Sequence, residues 1–356
     1  MNRLLLRSQV TLFLGVFSIM ALSNAIVPVL TTFSPASSWE GAIYAAYFLG
    51  AFISTLPSGI LTDRYGRTLM MRFGLVLTVT SGIILFTSVD PVTALAARFL
   101  EGIGAGLFVP PALAGINREV EHAKMSGYFM ALMNAGLVLG LLLAGVLAAW
   151  LDQPVAGILL FTVLAGIPTA ASLIAREPEI PGADHLDAGA FFPMVKEYRW
   201  IWYSSIVLIG ITGVVTSLYP KYSGAEPDIL GYWIAGMSVA TIVAVLLISR
   251  FSVDDIRLIR ISAIAMAAGV MITLVHPAGF LVIGFLAGLV MIAQLGFLSR
   301  IRDHQGIAMG LFSTTSYLGM AVLPFLAGLV ADGPGFFTAF CVSALAAVTV
   351  AVGVRK

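Results

Sequence analysis

The sequence predicts an all-α protein that crosses a membrane twelve times, and three observations carry that prediction. Apolar runs of roughly 20 residues recur from one end of the chain to the other, each long enough to span a hydrocarbon core of about 30 Å as a helix. Hydrophobic residues make up 59% of the 356 and charged residues only 10%, with a mean hydropathy of +1.00; a soluble domain carries about 25% charged residues. Basic residues, finally, sort to one side of the predicted spans, as they do when they are retained in the cytoplasm. The roughly 10-residue alternating segments of a membrane barrel do not occur.

The spans run at about 8–33, 39–61, 69–88, 92–116, 124–150, 154–175, 199–219, 228–249, 257–275, 277–298, 305–331 and 335–354, with edges good to about two to four residues. Pro35, Pro91, Pro154, Pro277 and Pro334 stand where turns end the helices. With both termini cytoplasmic, all of the 19 basic residues except Lys221 and Arg98 fall on the cytoplasmic side, and adding or dropping one helix scrambles that partition. Arg3 and Arg7 precede the first run in the manner of a secretory leader. The run is longer than a leader's apolar core of about 7–15 residues and has no small-residue cleavage site, so it is expected to stay as the first helix. Cys341, the single cysteine, lies in the last span, which argues against a disulfide or a cysteine metal cluster. A net charge of +1 gives no reason to expect nucleic acid as a partner.

The chain divides at its one long polar segment. From Arg176 to Tyr198 it turns acidic and Pro-rich (Glu177, Pro178, Glu179, Pro181, Asp184, Asp187, Pro193), which reads as a cytoplasmic linker. The expected domains are therefore residues 1–175, a linker 176–198 and residues 199–356. The end of the linker, Phe191 to Arg199, suits a short interfacial helix. A repeat supports the division: one constant offset aligns Gly127 with Gly310, Gly136 with Gly319, Ala144 with Ala327 and Gly145 with Gly328, making the fifth and eleventh spans repeat mates.

Between the second and third spans the chain reads Gly59-Ile60-Leu61-Thr62-Asp63-Arg64-Tyr65-Gly66-Arg67. Gly59 lets the second helix approach a neighbour closely, and Gly66 permits a positive backbone dihedral in a very short turn. Asp63 suits the amides of an adjacent helix N-terminus, and Arg64 and Arg67 have Glu119 or Glu121, beside Arg118, as candidate partners at the end of the fourth span. The fourth span holds Arg98-Phe99-Leu100-Glu101-Gly102-Ile103-Gly104-Ala105-Gly106. A charge near the bilayer centre costs about 2.5–3.5 kcal/mol on insertion scales, so Arg98 and Glu101, three residues apart on one helix face, are expected to pair. The fifth span carries Gly127, Gly136, Gly140 and Gly145, small residues at spacings that permit tight helix contact.

These three stretches resemble the G-x-L-x-D-R-x-G-R, R-x-x-Q-G-x-G and G-x8-G-x3-G-P-x2-G-G patterns of the major facilitator superfamily, most nearly those of its drug/proton antiporters. The resemblance implies twelve helices in two pseudo-symmetric six-helix bundles, with a substrate site near the midplane. It also implies a cytoplasmic gate built from Gly59, Asp63, Arg64, Gly66, Arg67, Arg118 and Glu119. The sequence departs from the patterns at three places. Glu101 replaces Gln, which turns a fixed dipole into a titratable group and makes Glu101, with Arg98 modulating it, the candidate proton carrier; the alternative is a permanently ionised pair that only fixes packing. Leu141 replaces the antiporter proline and Ala144 a closing glycine, while the eleventh span supplies Pro324 at the equivalent position, beside Gly319 and Gly328. The loop after the eighth span, Arg250 to Arg257, lacks both signature glycines.

Candidate cavity residues are Asn24, Tyr47, Met130, Asn134, Thr212, Thr216, Gln294 and Thr315, polar or adaptable side chains on the inward stripes expected of their helices. Apart from Arg98 and Glu101 no charge is expected deep in the membrane, which disfavours a multiply charged phosphate compound as substrate. No Walker loop, nucleophile motif or metal-spaced histidine pair is present, and His122, His185, His276 and His304 are scattered. The expectation is a transporter and not an enzyme: a monomer in the plasma membrane, without cofactor, moving a small organic solute outward with the proton gradient as its energy source. A uniporter or importer of a sugar or other metabolite is the second reading, and a non-transporting sensor or channel the third.

Overall fold

The computed structural model describes residues 10–34, 36–116, 122–174, 191–248, 254–301 and 305–354. Among these the regular structure is helical throughout, with no strand. The helices are α1 (Gly15–Ala25), α2 (Ser37–Tyr65), α3 (Arg67–Thr87), α4 (Pro91–Ile116), α5 (His122–Leu151), α6 (Ala156–Ile174), α7 (Phe191–Glu197), α8 (Arg199–Ser223), α9 (Pro227–Ile248), α10 (Asp255–Val275), α11 (Gly279–Ser299), α12 (Gln305–Asp332) and α13 (Phe336–Gly353). Ten of them are long and apolar enough to cross a membrane, and a bent pair at the start of the chain raises the number to eleven. With α2, every predicted span falls on a helix. The short α7 occupies the expected end of the linker.

The bilayer explains this uniformity: in hydrocarbon each backbone N–H and C=O must be satisfied within its own segment. The outward faces are correspondingly apolar, with Leu159, Val163, Ile167 and Leu173 of α6 exposed on one side of that helix. Where helices end, the backbone uses few residues. Gly66 takes φ 88°, ψ 148° between α2 and α3, a conformation open to glycine alone. Gly224 closes α8 in the left-handed region with its amide on Pro220 O at 3.1 Å. The Asp254 side chain accepts from the Arg257 amide at the start of α10.

The first span differs from the single helix expected. A π-helical turn, Val10–Leu14, leads into α1, and a 3-10 segment, Val27–Phe33, follows it. Thr11–Ala25 and Val27–Phe33 meet at 48°. Pro28 lacks the N–H that would continue α1 and its ring crowds the preceding turn; Val29 is drawn out of helical geometry at φ −115°, ψ 17°.

Helix contacts divide the chain into two units: residues 1–35, 46–184 and 225–232 in the first, and 36–45, 185–224 and 233–356 in the second. Within the first, α1 packs on α5 and α6, and α3 packs on α4 and α6. Within the second, α8 packs on α12, and α10 packs on α11 and α13. The pairing of first with fifth, third with fourth and third with sixth helix thus recurs in each unit, as duplicated six-helix halves require.

Candidate functional site

Arg98 and Glu101 lie one turn apart on α4, 1% and 0% exposed. Arg98 Nη1 donates to Glu101 Oε2 at 2.6 Å and to the backbone oxygen of Ser23, on α1, at 2.9 Å. The guanidinium lies 4.7 Å above the centre of the Tyr47 ring, on α2, a cation–π contact that a desolvated site strengthens. Two polar atoms are left over: neither Arg98 Nε nor Glu101 Oε1 has a hydrogen-bond partner. An ion pair taken out of water is compensated only when its remaining donors and acceptors are also satisfied. This pair is held by three helices yet not saturated, and Arg98 has two contacts besides Glu101.

The glycines of α4 make the approach of those helices geometrically feasible. A Cβ on Gly102 would strike the Tyr47 carbonyl oxygen, and one on Gly106 the Ser54 hydroxyl, both on α2. Gly104 faces the other way, where a Cβ would stand 2.7 Å from Gly74 O on α3. In return, a Cβ on Gly50 of α2 would meet Phe99 O. The R-x-x-E-G-x-G run therefore positions the charge pair and clears room for its neighbours within about two turns of helix.

The other expected site residues fall in several places. Gly66 adopts its positive φ, and Arg67 lies with Nη1 2.8 Å from where a Gly115 Cβ would be, at the far end of α4. The side chains of Asp63 and Arg64, the packing of Gly59, and Arg118, Glu119 and Glu121 lie outside the described residues. On α5, a Cβ on Gly136 would meet Phe17 O, one on Gly140 would meet Ala21 O, and one on Gly145 would meet Pro227 O. Gly127 and its mate Gly310 meet nothing within 4 Å, because both face away from the α5–α1 and α12–α8 seams. On α12, Gly319 backs onto Ile206 O and Gly328 onto Ser37 O, while Pro324 presents its carbonyl to Gly41.

Of the cavity candidates, Tyr47 is the ring beneath Arg98. The Asn24 amide donates to Leu137 O at 3.1 Å, binding α1 to α5. Asn134 donates to Met130 O at 2.8 Å within α5, and Met130 is exposed. Thr212 donates to Ile209 O, and Thr315 to Leu311 O. Thr216 is buried with its hydroxyl unpartnered. Gln294 is fully buried and its amide nitrogen holds Ser204 Oγ at 2.8 Å, a contact of α11 with α8.

Three participants were not foreseen. Ser23 contributes only a carbonyl, which no side-chain pattern reveals. Asp332, at the end of α12, accepts from the amides of Ser37 and Ser38 at 2.8 and 2.7 Å, capping α2. Glu40, one turn into α2, is fully buried with both carboxyl oxygens unpartnered; its position in a run of apolar residues was the available signal.

The sequence profile described as Major Facilitator Superfamily matches residues 10–324. The chain belongs to the major facilitator superfamily. Among curated relatives, the methylenomycin A resistance protein of Bacillus subtilis is 26% identical over 206 residues, covering 54% of this chain and 44% of that one. The quinolone resistance protein NorA of Staphylococcus aureus is 27% identical over 144 residues, 38% of this chain and 37% of its own length. These alignments thus span less than half of either relative. An uncharacterised transporter of this type from Enterobacter is 23% identical over 312 residues, 83% of this chain and 81% of that one. Among solved structures, the nucleoside transporter NupG superposes with a TM-score of 0.76 at 13% identity over 99% of this chain and 98% of its own. The D-xylose–proton symporter does so at 0.75 and 17% over 99% and 97%. Both likenesses are to the fold.

Proposed function

We propose that this chain exports a small organic solute by alternating access in exchange for protons, with Glu101 as the group that binds and releases the coupled proton. The observation that carries the reading is the Arg98–Glu101 pair, sealed from solvent yet short of two partners. When Glu101 takes a proton the unpartnered Oε1 is the oxygen open to it, and Arg98 remains on Ser23 O and the Tyr47 ring. When the proton leaves, the carboxylate returns to the guanidinium. Because Ser23 is on α1 and Tyr47 on α2, the charge state of one residue is felt by two other helices, the arrangement a coupled carrier needs.

The direction of transport is supported by the resistance proteins among the relatives, and the orientation with both termini in the cytoplasm by the partition of basic residues. In this reading the protein acts as a monomer in the plasma membrane, needs neither cofactor nor nucleic acid, and couples Gly59, Asp63, Arg64, Gly66, Arg67, Arg118 and Glu119 into the cytoplasmic gate.

The test is transport by the purified chain in proteoliposomes with an imposed pH gradient, using ethidium as the organic cation and a lumenal pH dye to count protons. Gradient-driven dye movement that Glu101→Gln abolishes supports the proposal. Coupling that persists unchanged in Glu101→Gln removes Glu101 from the proton path. Uptake of labelled xylose or nucleoside that ignores pH would establish the uniporter reading instead, and ionic current without solute movement the channel reading.

A further inference from the structure

Among the described residues Glu40 is the other fully buried carboxyl, and its neighbours on α8 and α12 are not the groups that hold the Arg98–Glu101 pair. It sits on the first turn of α2, within the segment 36–45 that packs with the second unit. The neighbours there are fixed by small residues. A Cβ on Gly41, next to Glu40, would strike Pro324 O of α12. One turn further on, Tyr44 reaches to 3.1 Å from where a Gly213 Cβ would be on α8, a point that Met320 and Pro324 also approach to 3.0 Å. Glu40 is thus enclosed by α2, α8 and α12, with 0% exposure.

Neither of its oxygens receives a hydrogen bond. Two charged groups on the packed elements act on it: Lys221 at the end of α8 and Asp332 at the end of α12. Tyr219 and Tyr222 are the remaining titratable side chains on that end of α8. The Asp332 carboxylate is committed to the Ser37 and Ser38 amides, so its negative charge is fixed beside Glu40. Lys221, half-buried, is the cation at that end of α8. A second carboxylate next to a fixed one, out of water and without a donor, is the less favourable form; the neutral acid is the form this enclosure accepts.

We propose that Glu40 is a proton-binding site, separate from Glu101, which holds a proton while the ends of α2, α8 and α12 are packed together and yields it to water when they part. In the release step the carboxyl O–H bond breaks, the proton passes to a water molecule at that end of the helices, and the carboxylate left behind is stabilised by hydration and by Lys221. By the basic-residue partition this end faces the outer solution, with which the Glu40 proton would exchange. The site stands whether or not Glu101 carries the coupled proton, since its evidence is the enclosure alone.

The experiment is infrared spectroscopy of the intact chain in lipid nanodiscs, titrated from acid to alkaline pH. A carboxylic-acid C=O band present at neutral pH, reduced by one carboxyl in Glu40→Gln, retained in Glu101→Gln and lost on alkaline titration, is the expected result. A neutral-pH spectrum identical in the acid region with and without Glu40→Gln overturns the proposal. Should Glu40→Gln fail to fold, Lys221→Met decides: removal of the neighbouring cation must carry the band's disappearance to more alkaline pH, and an unmoved titration overturns the proposal equally.

Discussion

Breaking the Arg98–Glu101 pair from each side separately gives unequal penalties, and the inequality is the prediction. Glu101→Leu strands a guanidinium that no attainable pH neutralises. What remains to it is Ser23 O at 2.9 Å and the Tyr47 ring at 4.7 Å, the latter about 0.5–2 kcal/mol, so the cost falls in the range of about 3–5 kcal/mol for an orphaned buried charge. Arg98→Met instead leaves a carboxyl that can take a proton. Its penalty is bounded by the work of protonating an ordinary glutamate at neutral pH, about 2.7 pH units or roughly 3–4 kcal/mol, and shrinks by about 1.4 kcal/mol for each unit of acidification. The sign follows from linkage: in this variant the folded form binds the proton more tightly than the unfolded form, so stability is greatest in acid and fades as pH rises. The double variant Arg98→Met/Glu101→Leu removes both charges and should return to within about 1 kcal/mol of the parent. Reversible unfolding in mixed micelles, followed by tryptophan fluorescence at several pH values, measures all four corners of the cycle. A double variant that costs the sum of the singles to within about 0.5 kcal/mol, or an Arg98→Met penalty indifferent to pH, refutes the reasoning.

Asp332→Ala removes two backbone contacts from the start of α2, one of them solvent-exposed, and should lower stability by about 1–2 kcal/mol, seen as a lower thermal midpoint with Asp332→Asn in between. Gly140→Val drives a branched side chain into the Ala21 carbonyl and should abolish monodisperse elution from a sizing column, whereas Gly127→Ala, with open space around it, should stabilise by about 0.5–1 kcal/mol through helix propensity. Gly66→Ala forces a Cβ onto a backbone at φ 88° and should cost about 1–3 kcal/mol; equal thermal midpoints for this variant and the parent would contradict the turn geometry.

The helices were legible because hydrocarbon leaves the backbone no other option, and the Arg98–Glu101 contact was legible because two charges three residues apart in oil have little choice of partner. The repeat was legible too: Gly145 and Gly328 each admit the first turn of another helix, at Pro227 and Ser37. What the sequence concealed is facing. Gly127 stands nine residues before Gly136, about half a turn round the helix from the Gly136–Gly140 pair, and so is off the α1 seam. Asn24 and Gln294 read as cavity groups since they are polar in apolar helices, yet hydrocarbon equally favours spending such amides on a neighbouring helix, at Leu137 O and Ser204 Oγ. The break after Ala25 was missed because Pro28 lies inside a run whose hydropathy never falls. Glu40 escaped notice because an acid on a first turn ordinarily faces headgroups and water.

The carbonyl that receives Arg98 belongs to Ser23, three residues before the chain leaves α1 at its 48° bend. The 3-10 segment beyond the bend, buried at Val27, Val29, Leu30 and Phe33 and packed on α5, exposes only Thr31 and Thr32 among its residues. A loosening of the Arg98–Ser23 tie, by neutralising the acid next to it, would reach this segment through the α1 backbone. A spin probe at Thr31, with no ionisable side chain beside it in sequence, ought on that account to report acidity as a change in distance.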